Sequence, residues 1–138
     1  MASGLLYQDL TEKIIGTFYS VYNELGHGFA ESVYEQSMLL ALSDAGMLVA
    51  RQVPINVFFR GHQVGTFRAD MLVEDAVLLE LKATFALDKA HEAQLLNYLR
   101  ATDIEVGLLL NFGDRAQFKR LLFNNNRKKL REHPSVSV

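Results

Sequence analysis

Two carboxylates and a lysine stand close together in an apolar stretch of this chain: Asp70, then Glu80-Leu81-Lys82. In a strand, residues two apart share a face, so Glu80 and Lys82 point the same way, ~6.6 Å apart along the strand. Leu79 and Leu81 turn to the opposite face and into the core. If Glu74-Asp75-Ala76 is a three-residue hairpin loop, Val73 pairs with Val77. Asp70 then faces Glu80 with β-carbons ~5 Å apart. Like charges so placed repel, and a bound divalent cation turns the repulsion into coordination. Two carboxylates plus waters and a substrate phosphate suit Mg²⁺, which prefers oxygen ligands and keeps several waters. A lysine beside such a metal can position and help deprotonate an attacking water, or stabilise charge on a phosphate. Two other readings stay open. A two-residue loop at Glu74-Asp75 would put Asp70 on the wrong face, and a surface Glu–Lys pair on an exposed sheet has the same spelling.

A second group lies downstream. At 100° per residue His91, Gln94, Leu95 and Tyr98 fall within one helix face, beside an apolar stripe of Leu95, Leu96 and Leu99. Gln94 and Tyr98 are i and i+4 and reach one neighbouring site together. Glutamine can orient a water or a phosphate, and tyrosine can donate to a phosphate. A helix whose polar edge meets solvent would look the same, and His91 reads as a rim residue rather than a ligand.

The elements that must position these groups follow from periodicity. Leu10, Ile14, Phe18, Val21 and Leu25 form one apolar stripe, predicting a helix over 6–25 that ends at Gly26-His27-Gly28. Ser32-Val33-Tyr34-Glu35 fits a capping box, predicting a second helix from there to Ala45 with Gly46 as its stop. Glu31 falls just before this helix or in its first turn. Val53, Ile55, Val57 and Phe59 alternate with Gln52, Pro54, Asn56, Phe58 and Arg60, a period-2 strand, and Gly61-His62 suits a tight turn. Strands follow over 64–73 and 77–83, then a helix over 88–102 with Asp88 as N-cap. The run Val106-Gly107-Leu108-Leu109-Leu110 within 105–112 reads as a strand buried on both faces, and 118–123 as a last strand. The order α-α-β-β-β-α-β, with a further strand, predicts an α/β domain with helices packed on a mixed sheet.

Composition narrows the function classes. At 138 residues the chain is one domain's worth of sequence, read as a single domain over 5–123. It has no cysteine, which excludes a disulfide framework, a thiolate zinc site, an iron–sulfur cluster and a cysteine nucleophile. No apolar run reaches the ~18 residues of a membrane span. Met1-Ala2-Ser3-Gly4 lacks the basic and apolar regions of a secretory signal, so a cytoplasmic location is expected. The net charge of −2 is uneven: −8 over 1–114 and +6 over 115–138. The basic group is Arg115, Lys119, Arg120, Arg127, Lys128, Lys129 and Arg131. Residues 124–138 read as a basic, flexible tail, either solvated or in contact with nucleic acid.

Taken in order, these residues resemble a known family. Gly28-Phe29-Ala30-Glu31-Ser32-Val33-Tyr34 spells GxxExxY. Asp70, Glu80-Leu81-Lys82 and Gln94-Leu95-Leu96-Asn97-Tyr98 follow. Arg51-Gln52-Val53-Pro54 adds to the likeness. The set is similar to the GxxExxY protein family, a branch of the PD-(D/E)XK nuclease superfamily, over residues 8–123. The resemblance implies a restriction-endonuclease-like core. It implies Asp70, Glu80 and the Leu81 backbone carbonyl as ligands of Mg²⁺ or Mn²⁺, and Lys82 as the catalytic lysine. It implies that Glu31 assists the metal or its water, and that Gln94 and Tyr98 form a QxxxY element found in some end-acting nucleases. The proline of the superfamily's name is absent, since Ala69 precedes Asp70.

Three readings follow. The first is a metal-dependent nuclease acting on nucleic acid, most readily DNA. The second is a catalytically inactive nucleic-acid-binding module that retains the fold. The third is a protein-interaction module. Phosphate binding needs cations along the path, and Arg68, Lys89, Arg100, Lys119 and Arg120 are the candidates. A domain this small has no separate recognition module, so sequence specificity would call for a homodimer or an accessory protein.

Overall fold

In the computed structural model, residues 6–128 are described. Helices α1 (Gln8–Leu25) and α2 (Glu31–Asp44) precede three strands, β1 (Val49–Phe59), β2 (His62–Val73) and β3 (Val77–Lys82). Helix α3 (Lys89–Arg100) crosses to β4 (Val106–Phe112), and β5 (Ala116–Leu122) completes a five-stranded sheet of order β1-β2-β3-β4-β5. Only β3 and β4 run parallel; the other neighbours are antiparallel. This is the mixed sheet that the order of elements predicts, with the further strand present as β5.

Each face of the sheet carries its own core. Ile14, Phe18 and Val21 of α1 and Tyr34, Met38 and Leu42 of α2 pack on Met71, Leu79, Leu81, Leu108 and Leu110. On the other face Leu95, Tyr98 and Leu99 of α3 pack on Ile55, Ala69, Leu78 and Leu109. Strand β4 therefore has no solvated face, and all seven of its residues are buried, as its unbroken apolar run implies. Fully burying one such leucine is worth about 2 kcal/mol.

The local signals hold in part. Asp88 caps α3: its side chain accepts from His91 N–H at 3.1 Å, and His91 Nδ1 accepts from Asp88 N–H at 3.1 Å. His91 is thus a capping residue at a helix start. The capping box expected at Ser32 does not form. The cap lies two residues earlier, at Ala30, with no side-chain hydrogen bond, and helix α2 begins at Glu31. Glu35 is drawn away, accepting from Arg51 Nη2 at 3.1 Å and Gln52 Nε2 at 2.9 Å on β1, where cationic and amide donors outbid a local N–H. The β1–β2 turn is Arg60-Gly61, both at positive φ, with Phe59 paired to His62. It sits one residue before the expected Gly61-His62, because a type I′ turn takes two left-handed residues. Residues 124–128, expected to open a flexible tail, are tied down. Asn125 N–H donates to Glu105 Oε2 at 2.7 Å, and the buried Lys128 ammonium donates to the carbonyls of Thr102 and Ile104 at 2.8 and 2.6 Å. Lys129 and Arg131 lie outside the described residues.

Candidate functional site

The β2–β3 hairpin sets the site. Val73 pairs with Val77, Leu72 with Leu78 and Met71 with Leu79, so the loop is Glu74-Asp75-Ala76 and the register brings Asp70 opposite Glu80. There the ladder stops. On the β1 side pairing also skips one step, between Arg51↔Met71 and Val53↔Ala69, where Gln52 takes φ 51. Strand alternation breaks at the same place. Ala69 lies in the α3-side core and Met71, two residues on, in the α1/α2-side core. Asp70 is the residue at which β2 turns over and parts from β3.

The two carboxylates close the gap that the missing ladder leaves. Glu80 Oε2 accepts from Asp70 N–H at 2.8 Å, and Asp70 Oδ2 accepts from Leu81 N–H at 2.7 Å. The other oxygen of each makes no hydrogen bond to the described residues. Within a strand, a residue's N–H and C=O point to the same side, so the Leu81 carbonyl opens toward Asp70 as well. Glu80 is 4% exposed, because α3 covers the face it shares with Lys82. Asp70 and Lys82 are half-buried.

Burial dominates the electrostatics. It pushes the Glu80 carboxyl up to about 8, with the charge of Asp70 adding to the rise; the Asp70 N–H and Lys82 oppose it. Asp70 is raised too, first by burial, against the Leu81 N–H, with Glu35 and Glu31 pushing further up and Lys82 pulling down. Glu31, at the start of α2, adds a smaller repelling charge to both carboxylates. Tyr98, in the α3-side core, has its pKa raised by burial and then by Glu80 and Asp70. Among the described residues no cluster of three or more His, Cys, Asp or Glu is preassembled around one point. A two-carboxylate donor set with open oxygens still fits Mg²⁺, which is held by one or two carboxylates with substrate phosphate and waters. A cation there would offset both the burial that dominates these shifts and the lesser repulsion from neighbouring acids.

The GxxExxY positions have local explanations. Gly28 takes φ 109, which a side chain would oppose. Tyr34 is fully buried and stacks on Phe112 with ring centroids 4.4 Å apart. Its hydroxyl donates to the Gly26 carbonyl at 2.6 Å and accepts from Phe29 N–H at 3.2 Å. The loop thus clamped delivers Glu31 as the first residue of α2.

One positioning residue escaped the sequence reading. Asn111, fully buried in β4 beside Lys82, accepts from Thr84 N–H and donates to the Thr84 carbonyl, both at 3.0 Å. It thereby fixes the chain just past the lysine. Gly113 lets that segment approach: a Cβ there would stand 1.7 Å from the Thr84 oxygen. The available signal was a lone amide within an otherwise apolar buried strand.

The cations do not form one surface. Lys119 lies 3.9 Å from Glu92 on the α3 side, whereas Arg120 bonds the Leu6 carbonyl at the start of α1. Neighbours on β5 point to opposite faces, so these two do not share a phosphate path. Arg68, Lys89 and Arg100 are exposed. Gln94 is exposed and, with Tyr98, lines a cleft between α3 and the β1–β2 hairpin.

A mixed sheet flanked by helices, with an acid at the break of one strand and an acid and lysine on the next, is the arrangement of a restriction-endonuclease-like domain. The family model of the PD-(D/E)XK nuclease superfamily matches residues 8–121, and the chain belongs to that superfamily. Among solved structures it is similar to the crystal structure of SSO0001, with TM-score 0.52 and 19% identity. That likeness covers 87% of this chain and 61% of that one, so the chain spans under two thirds of the relative's length. No curated protein matches. No helix among the described residues is long and apolar enough to cross a membrane.

Proposed function

We propose that the protein is a metal-dependent nuclease of the GxxExxY branch that hydrolyses phosphodiester bonds, with DNA as the first substrate to test. The observation that carries this is the pair Asp70 and Glu80, each spending one oxygen on the other's strand and leaving one open beside the Leu81 carbonyl and Lys82. Those two carboxylates and that carbonyl would hold Mg²⁺ or Mn²⁺. The metal supplies Lewis-acid polarisation of the phosphate and a more acidic bound water.

The chain's own residues do the rest. Lys82, on the face of Glu80, places a positive charge where the phosphorane gains negative charge. Glu31, exposed at the first turn of α2, accepts a proton from, or orients, the attacking water. Gln94 and Tyr98 hold the phosphate or its neighbour from the α3 side. Glu80 enters with its carboxyl raised to about 8, so loading the site displaces a proton and affinity for the metal rises with pH.

The deciding experiment is cleavage of end-labelled linear and circular DNA, single- and double-stranded, in Mg²⁺, Mn²⁺ or EDTA, beside Lys82→Ala. Metal-dependent cutting lost in the variant is the expected result. No cutting of any DNA or RNA by folded, metal-loaded protein would overturn it. Binding that persists without metal and without Lys82 would then identify a non-catalytic nucleic-acid module.

A further inference from the structure

The β1–β2 hairpin extends past the sheet. Strand β2 pairs with β3 only at residues 71–73, while β1 and β2 continue together to the Arg60-Gly61 turn. The projecting ribbon and α3 enclose a cleft of about 600 Å³. Its apolar walls are Val57 and Phe67 from the ribbon and Ala93 and Tyr98 from α3, and Asn97 and Arg100 stand among its lining residues.

Phe67 is 49% exposed and turns that exposed surface to the cleft it lines. Its ring packs against two neighbours. It lies over Gly65, where a Cβ would come within 3.3 Å of it, and its centroid is 6.1 Å from that of Tyr98. The polar groups nearby are of matching kind. Arg100 Nη1 donates to Asn97 Oδ1 at 3.2 Å, which orients the amide and leaves its NH₂ group and the remaining guanidinium N–H groups as donors. Tyr98 lines the cleft, and burial, then the charges of Glu80 and Asp70, raise the pKa of its hydroxyl.

We infer that this cleft binds one unpaired nucleobase of the substrate strand, stacked on Phe67, its edge meeting the Asn97 amide and its phosphate meeting Arg100. A flat apolar ligand with acceptor edges and an attached anion complements Phe67, Asn97 and Arg100, and the volume is that of a small-molecule site. A base whose edge meets the Asn97 amide has no edge left for a partner base, so the base bound here comes from a single strand, a frayed end or a flipped nucleotide. The inference rests on the reading of the substrate as nucleic acid. Aromatic stacking of this kind carries much of the affinity for single strands.

The test is binding of a short oligodeoxynucleotide containing 2-aminopurine, single-stranded or annealed to its complement, to the full chain in EDTA at low ionic strength. The expected result is tighter binding of the single strand, with a fluorescence change on stacking. Phe67→Ala should weaken single-strand binding about 10-fold or more and abolish the fluorescence change, Phe67→Tyr should retain both, and duplex binding should not respond to either. Wild-type affinity in Phe67→Ala, equal binding of both substrates, or no binding at all overturns the inference. If Phe67→Ala instead changes only self-association in sedimentation, the cleft belongs to a second copy. Because turnover is not read, a protein that stacks the base but never cleaves would fail the nuclease reading alone. One that cleaves with Phe67 indifferent would fail this inference alone.

Discussion

Asp70 and Glu80 bind across the place where their strands part, Glu80 Oε2 accepting from Asp70 N–H and Asp70 Oδ2 from Leu81 N–H. Each acid thus has two functions that can be separated. One oxygen replaces a missing ladder bond, and the charge, together with the open oxygen, is available for a cation.

Substitutions at Asp70 should separate these functions. Asp70→Asn keeps an oxygen for Leu81 N–H and removes a repelling charge, so apo stability in urea should hold or rise. Asp70→Ala leaves that N–H without its partner and should cost about 1–2 kcal/mol. Both should lose Mg²⁺ binding by calorimetry. A strongly destabilised Asp70→Asn would show that the charge itself holds the fold.

The melting temperature of the apo protein should fall as pH rises from about 4.5 to about 8. Glu80 has its pKa raised from 4.5 to about 8 by burial, so across that window the native state holds a proton that the unfolded chain has released. The raised Asp70 contributes in the same direction. Mg²⁺ should therefore stabilise more at about pH 8 than at about pH 5, and Glu80→Gln should flatten the profile. A melting temperature that climbs over this window would contradict the assigned burial.

Lys82→Ala should reduce cleavage by about 100-fold or more and change stability by about 0.5 kcal/mol or less. Its side chain is half-buried and forms no ion pair among the described residues. Gel-based cleavage and urea unfolding on the same preparation check both halves.

Tyr34→Phe removes a hydroxyl that joins the Gly26 carbonyl to Phe29 N–H. The expected loss is about 1–2 kcal/mol, and metal affinity should weaken as Glu31 loses its clamp. Unchanged metal affinity at reduced stability would leave Tyr34 with a packing role alone.

Asn111→Leu keeps the branching at Cγ but strands both Thr84 backbone groups, and Gly113→Ala forces the Thr84 carbonyl away from a Cβ 1.7 Å off. Each should cost about 2 kcal/mol and lower cleavage through displacement of Lys82. Activity at the wild-type level in a folded Gly113→Ala protein would show that the segment after β3 does not position the lysine.

Much of this fold could be read from the sequence because its signals are local and periodic. The stripe from Leu10 to Leu25 marks α1, the apolar run at 106–110 marks a strand covered on both faces, and Asp88 marks the start of α3. The register of Asp70 against Glu80 was legible only as one of two alternatives, since the sequence left the loop length open and the pairing of Val73 with Val77 decides it. Gly28, Glu31, Tyr34, Gln94 and Tyr98 were visible as a spaced set.

Tertiary structure decided what depends on competition between distant partners. Glu35 abandons the local capping box because Arg51 and Gln52, on another strand, offer better donors. Lys119 and Arg120, adjacent in sequence, are split between faces by the pleat of β5. Residues 124–128 read as tail by composition, yet Lys128 finds two carbonyls at the end of α3 and the start of β4. Above all, regular alternation predicts that Ala69 and Met71 share a face, and they do not. That reversal, at a residue where β2 leaves both neighbours, exposes the Asp70 carboxylate beside Glu80. No two-residue period encodes it, because it arises only when a strand must satisfy one core below the break and another above it.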